Sequence, residues 1–240
     1  MAGTKTRVIL QPRDRRLLEE LDLMRAMDRK QATLVGGFGS ATRAKARLLA
    51  LTRAGILRRT FVGRNKPVYQ LAARSGSAKE HSGLFLEHQL AINEIYLALQ
   101  YTPSAATGLS LIDWRRFTAP ISPSVQLIPD GYFTLRQNGL LHGLFLEMDL
   151  GTETVSTVKR KAEGYLQLAV SGDFSRQFGL PQFRVLIVTT TPTRVRNLRA
   201  AISPLTDRIF RFTTLEDIRQ QTPWAAVWLR PKGEERLSLL

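Results

Sequence analysis

The sequence contains no cysteine, which excludes a disulfide framework and a thiolate zinc site together. Histidine is nearly as scarce. His81, His88 and His142 are too few and too scattered for a histidine-rich metal centre, and too sparse for the metal of a relaxase. No apolar run approaches the roughly 20 residues that a membrane-spanning helix requires. The opening Met1-Ala2-Gly3-Thr4-Lys5 lacks the apolar stretch of a signal peptide. A soluble, cytoplasmic protein with no membrane partner is therefore expected. Several catalytic motifs are missing as well. There is no Gly-rich loop followed by Lys-Ser/Thr, which argues against a P-loop ATPase, and no Gly-x-Ser-x-Gly elbow. Gly36-Gly37-Phe38-Gly39 lacks the preceding strand that a dinucleotide site needs. The chain shows neither an internal repeat nor a low-complexity tract.

What the chain has in excess is positive charge. Its 35 Lys and Arg against 20 Asp and Glu give a net charge of +15. The surplus is uneven: residues 1–80 hold 18 basic and 6 acidic side chains, net +12, which leaves +3 for residues 81–240. A basic segment joined to a nearly neutral one places nucleic-acid binding in the first part of the chain. At 240 residues and 43% hydrophobic, the sequence suffices for one good core or two modest ones.

Residues 1–72 read as three helices and a hairpin. Leu17, Leu18, Leu21, Met24 and Met27 form one apolar stripe over a helix from Arg13 to Met27. Asp28 precedes a second helix, Arg29 to Val35, closed by Gly36-Gly37. Ser40 is the expected N-cap of a third, Ala41 to about Ala54, ended by Gly55. Ala41, Ala44, Leu48 and Leu51 would face inward on it, leaving Thr42, Arg43, Ala46 and Arg47 outward and Lys45 on the flank. Strand-like runs 56–62 and 67–71 then flank Gly63-Arg64-Asn65-Lys66. This order is that of a winged helix-turn-helix, whose third helix enters the major groove of duplex DNA. Thr42, Arg43, Lys45 and Arg47 would read the groove, and Arg58, Arg59, Arg64 and Lys66 on the wing would neutralise phosphates.

Residues 73–83, small and polar without periodicity, read as a linker, and 84–240 as a second, α/β (α+β) domain. A helix over 84–99 with Leu86, Leu90, Ile95 and Leu97 opens it. Strands follow near 109–117, 125–135 and 140–149, then a helix over 154–170 bearing Val158, Ala162, Tyr165, Leu166 and Ala169. The β-branched run 183–190 predicts a buried strand, followed by a helix over 193–202 and short strands near 209–212 and 226–229. Asn138-Gly139 marks a hairpin turn. That hairpin brings Asp130 towards Glu147 and Asp149, which share one face of their strand. Three clustered carboxylates need a divalent cation, Mg²⁺ or Mn²⁺, or a basic partner, for which Lys161 is the candidate with Tyr165 one turn on.

His88-x-Leu90-x-x-Asn93, Pro129-Asp130, the segment Phe145-Leu146-Glu147-Met148-Asp149-x-Gly151-Thr152-Glu153, and Lys161-x-x-x-Tyr165 together resemble the replication-relaxation family of bacterial plasmids and integrative elements. The resemblance runs from about Leu10 to Thr190. It implies a restriction-endonuclease-like αβββαβ sandwich behind the winged helix. In enzymes of that fold an Asp and an acid-x-Lys hold Mg²⁺ and orient water. Asp130 and Glu147 match the two acids; Asp149 stands in place of the lysine, and Lys161 is similar to lysines that reach back from the following helix. Two functions remain open. One is a DNA-binding factor in replication, transfer or their regulation, associated with the nucleoid or plasmid and partnered by replication or transfer proteins. The other is a metal-dependent endonuclease or nickase using Asp130, Glu147, Asp149 and Lys161. A homodimer is expected, with the apolar tail Leu237-Ser238-Leu239-Leu240 as the surface offered to a partner.

Overall fold

A computed structural model of the chain describes residues 8–73, 82–104 and 108–240. The chain divides into two compact units, Met1–Glu94 and Ile95–Leu240. The linker expected at 73–83 falls largely outside the described residues.

In the first unit, α1 (Pro12–Met24) starts at a helix-compatible proline, and the Asp14 carboxylate accepts from the Gln11 backbone N–H at 2.6 Å. Leu17, Leu21 and Met24 are its buried stripe. The helix stops three residues short of the expected end because Arg25 takes a positive φ of 59°. Met27 leaves the helix for β1 (Met27–Asp28), where it pairs with Tyr69. Asp28 then caps α2 (Arg29–Val35): its side chain accepts from the Gln31 N–H at 2.8 Å, and the Gln31 side chain returns the bond. Ser40 caps α3 (Ala41–Arg53) as expected, accepting from the Arg43 N–H, and Gly55 follows its end at φ 72°. Ala44, Leu48 and Leu51 are buried on α3. Ala41 is not; it sits in the first turn and is exposed. Strands β2 (Leu57–Val62) and β3 (Lys66–Leu71) pair antiparallel, completing a sheet in the order β1-β3-β2.

Helix α4 (Gly83–Tyr101) crosses the division between the units at Glu94. The first unit therefore continues past residue 72 into this helix. The reason is packing: Leu86 and Leu90 share a buried cluster with Ala26, Val62 and Val68. Polar groups join the same elements. The Asn93 amide donates to the carbonyls of Met24, at 3.1 Å, and Ala26, at 2.6 Å, satisfying the frayed end of α1.

The second unit continues with β4 (Ser110–Arg115), β5 (Gly131–Gln137), β6 (Leu140–Asp149), α5 (Val155–Ser171), α6 (Asp173–Phe178), β7 (Phe183–Thr189), α7 (Pro192–Ile202), β8 (Phe210–Thr214), α8 (Leu215–Gln221), β9 (Trp228–Leu229) and β10 (Arg236–Leu237). These strands form one mixed sheet of seven in the order β10-β9-β8-β7-β6-β5-β4. The pairs β6/β7 and β7/β8 are parallel, and the others antiparallel. Helix, three strands and helix come in the expected order. The strand expected from 125 begins only at Gly131, because the preceding residues form a loop closed by a Ser122–Val125 bridge. Asn138 and Gly139 both have positive φ, 49° and 83°, as the hairpin requires. On α5 the fourth inward residue is Leu168; Leu166 is half-buried and Ala169 exposed. One sheet face packs an aromatic core in which the Phe145 ring lies 5.3 Å from Tyr165 and 5.1 Å from Phe183. The tail expected at a dimer surface is used within its own chain, where β10 pairs with β9 and Leu239 is buried.

Asn93 gives a direct test of the first unit. Replacing it with Ala removes the amide donor from the Ala26 carbonyl and leaves the Met24 carbonyl with the Ala26 N–H alone, at about 1–3 kcal/mol in all. Urea unfolding should show that loss in the midpoint. An unchanged midpoint would mean that water substitutes fully for the amide.

Candidate functional site

The positive charge of the first unit sorts into committed and uncommitted side chains. On α3, Thr42, Arg43 and Lys45 are exposed. Arg47 is half-buried, and its guanidinium is taken: Nε donates to Asp14 Oδ1 at 2.9 Å, and Nη2 donates to Asp14 Oδ2 and to the Ile9 carbonyl. Asp14 is fully buried. Burial, the largest single influence, would raise its pKa, but the hydrogen bonds from Arg47 and the Gln11 N–H together with the Arg47 and Arg13 charges outweigh it and hold the carboxyl below its ordinary value. On the hairpin, Arg58 is half-buried, while Arg59 and Arg64 are exposed. The Arg59 guanidinium lies 5.3 Å from the centre of the exposed Phe61 ring. Lys66 is exposed yet pairs with Asp28 at 2.8 Å. Arg13 was not foreseen. It stacks over Phe38 at 5.7 Å and lines, with Arg43 and Arg47, a concavity of about 390 Å³ beside the outward face of α3.

The acids of the second unit sit near the carboxyl end of β6. Glu147 Oε2 accepts from Lys161 Nζ at 3.0 Å, and its Oε1 accepts from the Tyr165 hydroxyl at 2.5 Å. Lys161 also bridges to Glu153 at 2.9 Å. Asp149 turns to a partner that sequence reasoning missed: Arg194 of α7 donates from Nε at 2.5 Å, and its Nη2 bonds the Glu153 carbonyl at 2.6 Å. The other Asp149 oxygen accepts from the Gly151 N–H. Asp130 Oδ2 accepts from the Met148 N–H at 2.7 Å. Asp130, Glu147 and Lys161 thus share one electrostatic neighbourhood, while Asp149 is held by α7. Only chain-distant geometry reveals Arg194, since it lies 45 residues from Asp149.

Burial pushes the Glu147 carboxyl up to about 7, with repulsion from Asp130 adding to it and the Lys161 charge opposing. Lys161 moves up too: burial would lower it, but Glu147, Glu153 and Asp130 prevail. The same burial raises the Tyr165 hydroxyl well above its ordinary range. These residues do not fit a divalent ion as they stand. Both Glu147 oxygens and both Asp149 oxygens are occupied by protein donors, and the space beside them is about 10 Å³, the room of one water. No group of three or more Asp, Glu, His or Cys suited to a metal exists among the described residues.

A family model described as replication-relaxation matches residues 13–181, from the first turn of α1 to just before β7. The chain belongs to the replication-relaxation family. Within this member, two of the motif positions are architectural, Leu90 in the core and Asn93 on the end of α1, whereas Glu147, Glu153, Lys161 and Tyr165 form one bonded network. Among solved structures the chain is similar to restriction endonuclease FokI, with TM-score 0.31 and 14% identity over 88% of this chain and 45% of that one. The chain thus spans less than half the length of FokI. No curated protein matches it. Among the described residues, no helix is long and apolar enough to cross a membrane.

Glu147 sets a pH dependence. Its proton is held more tightly in the folded state, about 7 against an ordinary 4.5. The associated stability is therefore complete below about 4.5 and is lost as pH rises through 7. At about 1.4 kcal/mol per pKa unit, the fall amounts to roughly 3 kcal/mol. Glu147→Gln should flatten unfolding free energy across that window, and an unflattened profile would assign the titration elsewhere. Above pH 7, where Glu147 is ionised, Lys161→Met should cost about 3–5 kcal/mol, because it strands the buried carboxylate.

Proposed function

We propose that the chain is a DNA-binding protein of a plasmid or other mobile element, serving its replication or transfer. In this reading α2, α3 and the β2–β3 hairpin act as a winged helix-turn-helix. The observation that carries it is the set of exposed cations on α3 and the hairpin, in a segment with net charge +12. Family membership supports the cellular setting. Helix α3 would lie in the major groove, with Arg43 and Lys45 at base edges or flanking phosphates and Thr42 beside them. Arg59 and Arg64 would meet the backbone, and Phe61 would offer an apolar face to the sugars. Arg47 takes a different role from the one its spacing suggests, because its charge is spent on Asp14.

Replacing Arg43 by Ala should cost roughly 1–3 kcal/mol in affinity for the preferred site and relax its specificity. Arg64→Ala should weaken all duplexes alike and lower the salt slope by about one unit. Arg47→Ala should instead unfold the first unit more easily, with a melting transition shifted well below that of Arg43→Ala. Anisotropy titrations at several salt concentrations, paired with thermal melts, separate these outcomes. Equal affinity of wild type and an Arg43→Ala/Lys45→Ala protein would remove α3 as the reading element. Two copies on paired half-sites belong to the same proposal, and sedimentation with and without DNA tests it.

The second reading is an Mg²⁺- or Mn²⁺-dependent endonuclease, favoured by the closeness of Asp130, Glu147 and Lys161. It requires Lys161 and Arg194 to release their carboxylates. We favour the non-hydrolytic reading because each acid is already satisfied by the protein. Supercoiled plasmid incubated with Mn²⁺ should stay uncut; nicking that Glu147→Gln abolishes would reverse the choice.

A further inference from the structure

We propose that the sheet of the second unit carries a phosphate-binding site built from Arg184, Arg211, Arg230 and His142, on the face opposite Glu147 and Asp149. None of these residues belongs to the winged-helix segment or the acid network. Side chains alternate across a strand. Glu147 and Asp149 point to the face that holds Phe145, so His142 and Leu144 point to the other. The register pairs Leu144 with Arg184 and Leu186 with Arg211, which keeps both arginines on the His142 face. Phe212 pairs with Leu229 in an antiparallel sense, so the next residue, Arg230, comes opposite Arg211. Four basic side chains from neighbouring segments therefore form one stripe near the start of β6, β7 and β8.

Such a stripe is unfavourable without an anion, since like charges in opposed and diagonal positions repel. Burial first, and then the Arg184 and Arg230 charges, lower the Arg211 pKa to about 10, and burial and then Arg230 lower that of Arg184. Arg211 is buried, with Nη1 donating to the Arg208 and Phe210 carbonyls. Asp207 is the carboxylate that acts on Arg211, and it also accepts from the Lys232 N–H. Among the described residues neither Arg184 nor Arg230 makes a salt bridge. Burial and Arg184 keep His142 towards its neutral form. Its Nε2 is buried with no hydrogen-bond partner, which is costly for a polar atom. Arg199 Nε holds the Arg230 carbonyl at 2.7 Å and so fixes that position. Guanidinium forks match paired phosphate oxygens, and a phosphate would also serve His142. The phosphate could arrive on a DNA backbone or on a free phosphate compound.

The test uses the full chain and an Arg184→Gln/Arg230→Gln variant, which leaves Arg211 and its backbone bonds in place. Thermal melts with inorganic pyrophosphate at fixed ionic strength form one arm. Wild type should gain Tm with pyrophosphate. The variant should melt no lower than wild type without ligand, because repulsion is relieved, and should lose the gain. The second arm measures the salt slope for a non-specific duplex. A slope reduced by roughly one to two units assigns the site to the DNA backbone; an unchanged slope with the pyrophosphate gain lost assigns it to a free phosphate compound. Neither arm responding, or a variant that melts far below wild type, overturns the proposal. Because the first arm contains no DNA, its result is independent of the winged-helix reading.

Discussion

A carboxylate buried between sheet and helix sets the terms for the second unit. An ionised Glu147 alone in that setting would cost several kcal/mol, so both its oxygens must be met by donors. Lys161 and Tyr165 supply them from positions four apart on α5, the spacing that places two side chains on one helix face. The helix can therefore dock in one rotation. Its start is held as well, by the Thr154 cap, by Gly151 at φ 84°, and by Glu153 beneath the Lys161 ammonium. Asp149 does for α7 what Glu147 does for α5, through Arg194. Two acids, two residues apart on β6, thereby register two helices on one sheet face. An apolar set of similar shape would stabilise the sheet as well or better. What the ion pairs contribute is a single arrangement.

The first unit uses polar side chains in a similar way, at joints rather than in the centre. Asp28 caps α2 and also pairs with Lys66 beside the hairpin turn. Gln31 reciprocates the cap and reaches the Leu90 carbonyl on α4 at 2.8 Å. Asn93 donates to the Met24 and Ala26 carbonyls where Arg25 turns the chain out of α1. Each joint combines a local backbone need with a long-range contact, so the helices are placed by hydrogen bonds around an apolar cluster.

Local signals were the legible ones. Ser40 and Gly55 bound α3, Asn138-Gly139 the hairpin, and the run from Leu140 the full length of β6, because each rests on φ preference, capping or alternation within a few residues. Helices α6 and α8 were not foreseen; at 6 and 7 residues they are too short to show a repeating apolar stripe. Arg25 gave no sign that it would take a positive φ. At the acid site, Lys161 entered as a candidate basic partner and through the family resemblance, while the shared face of Glu147 and Asp149 followed from strand parity. The division of labour between the acids did not, because Arg194 enters from a helix that no local pattern connects to β6.

The same distinction governs how the charge should be interpreted. A net of +15 describes the chain but not what a partner meets. Arg47 is absorbed by Asp14, Lys66 by Asp28, Lys161 by Glu147 and Glu153, and Arg194 by Asp149. Every one of these cations was as plausible a nucleic-acid contact by composition as Arg43 or Arg64. Pairing removes them from the field felt outside the protein, because a neutralised pair falls off faster with distance than a lone charge and is screened within a Debye length of about 8–10 Å. An anion is therefore steered by the residue of charge that folding leaves unmatched. That residue lies on the outward side of α3 and its hairpin in one unit, and on the Arg184 stripe in the other. Both must be counted before any salt dependence of binding is assigned to α3 alone.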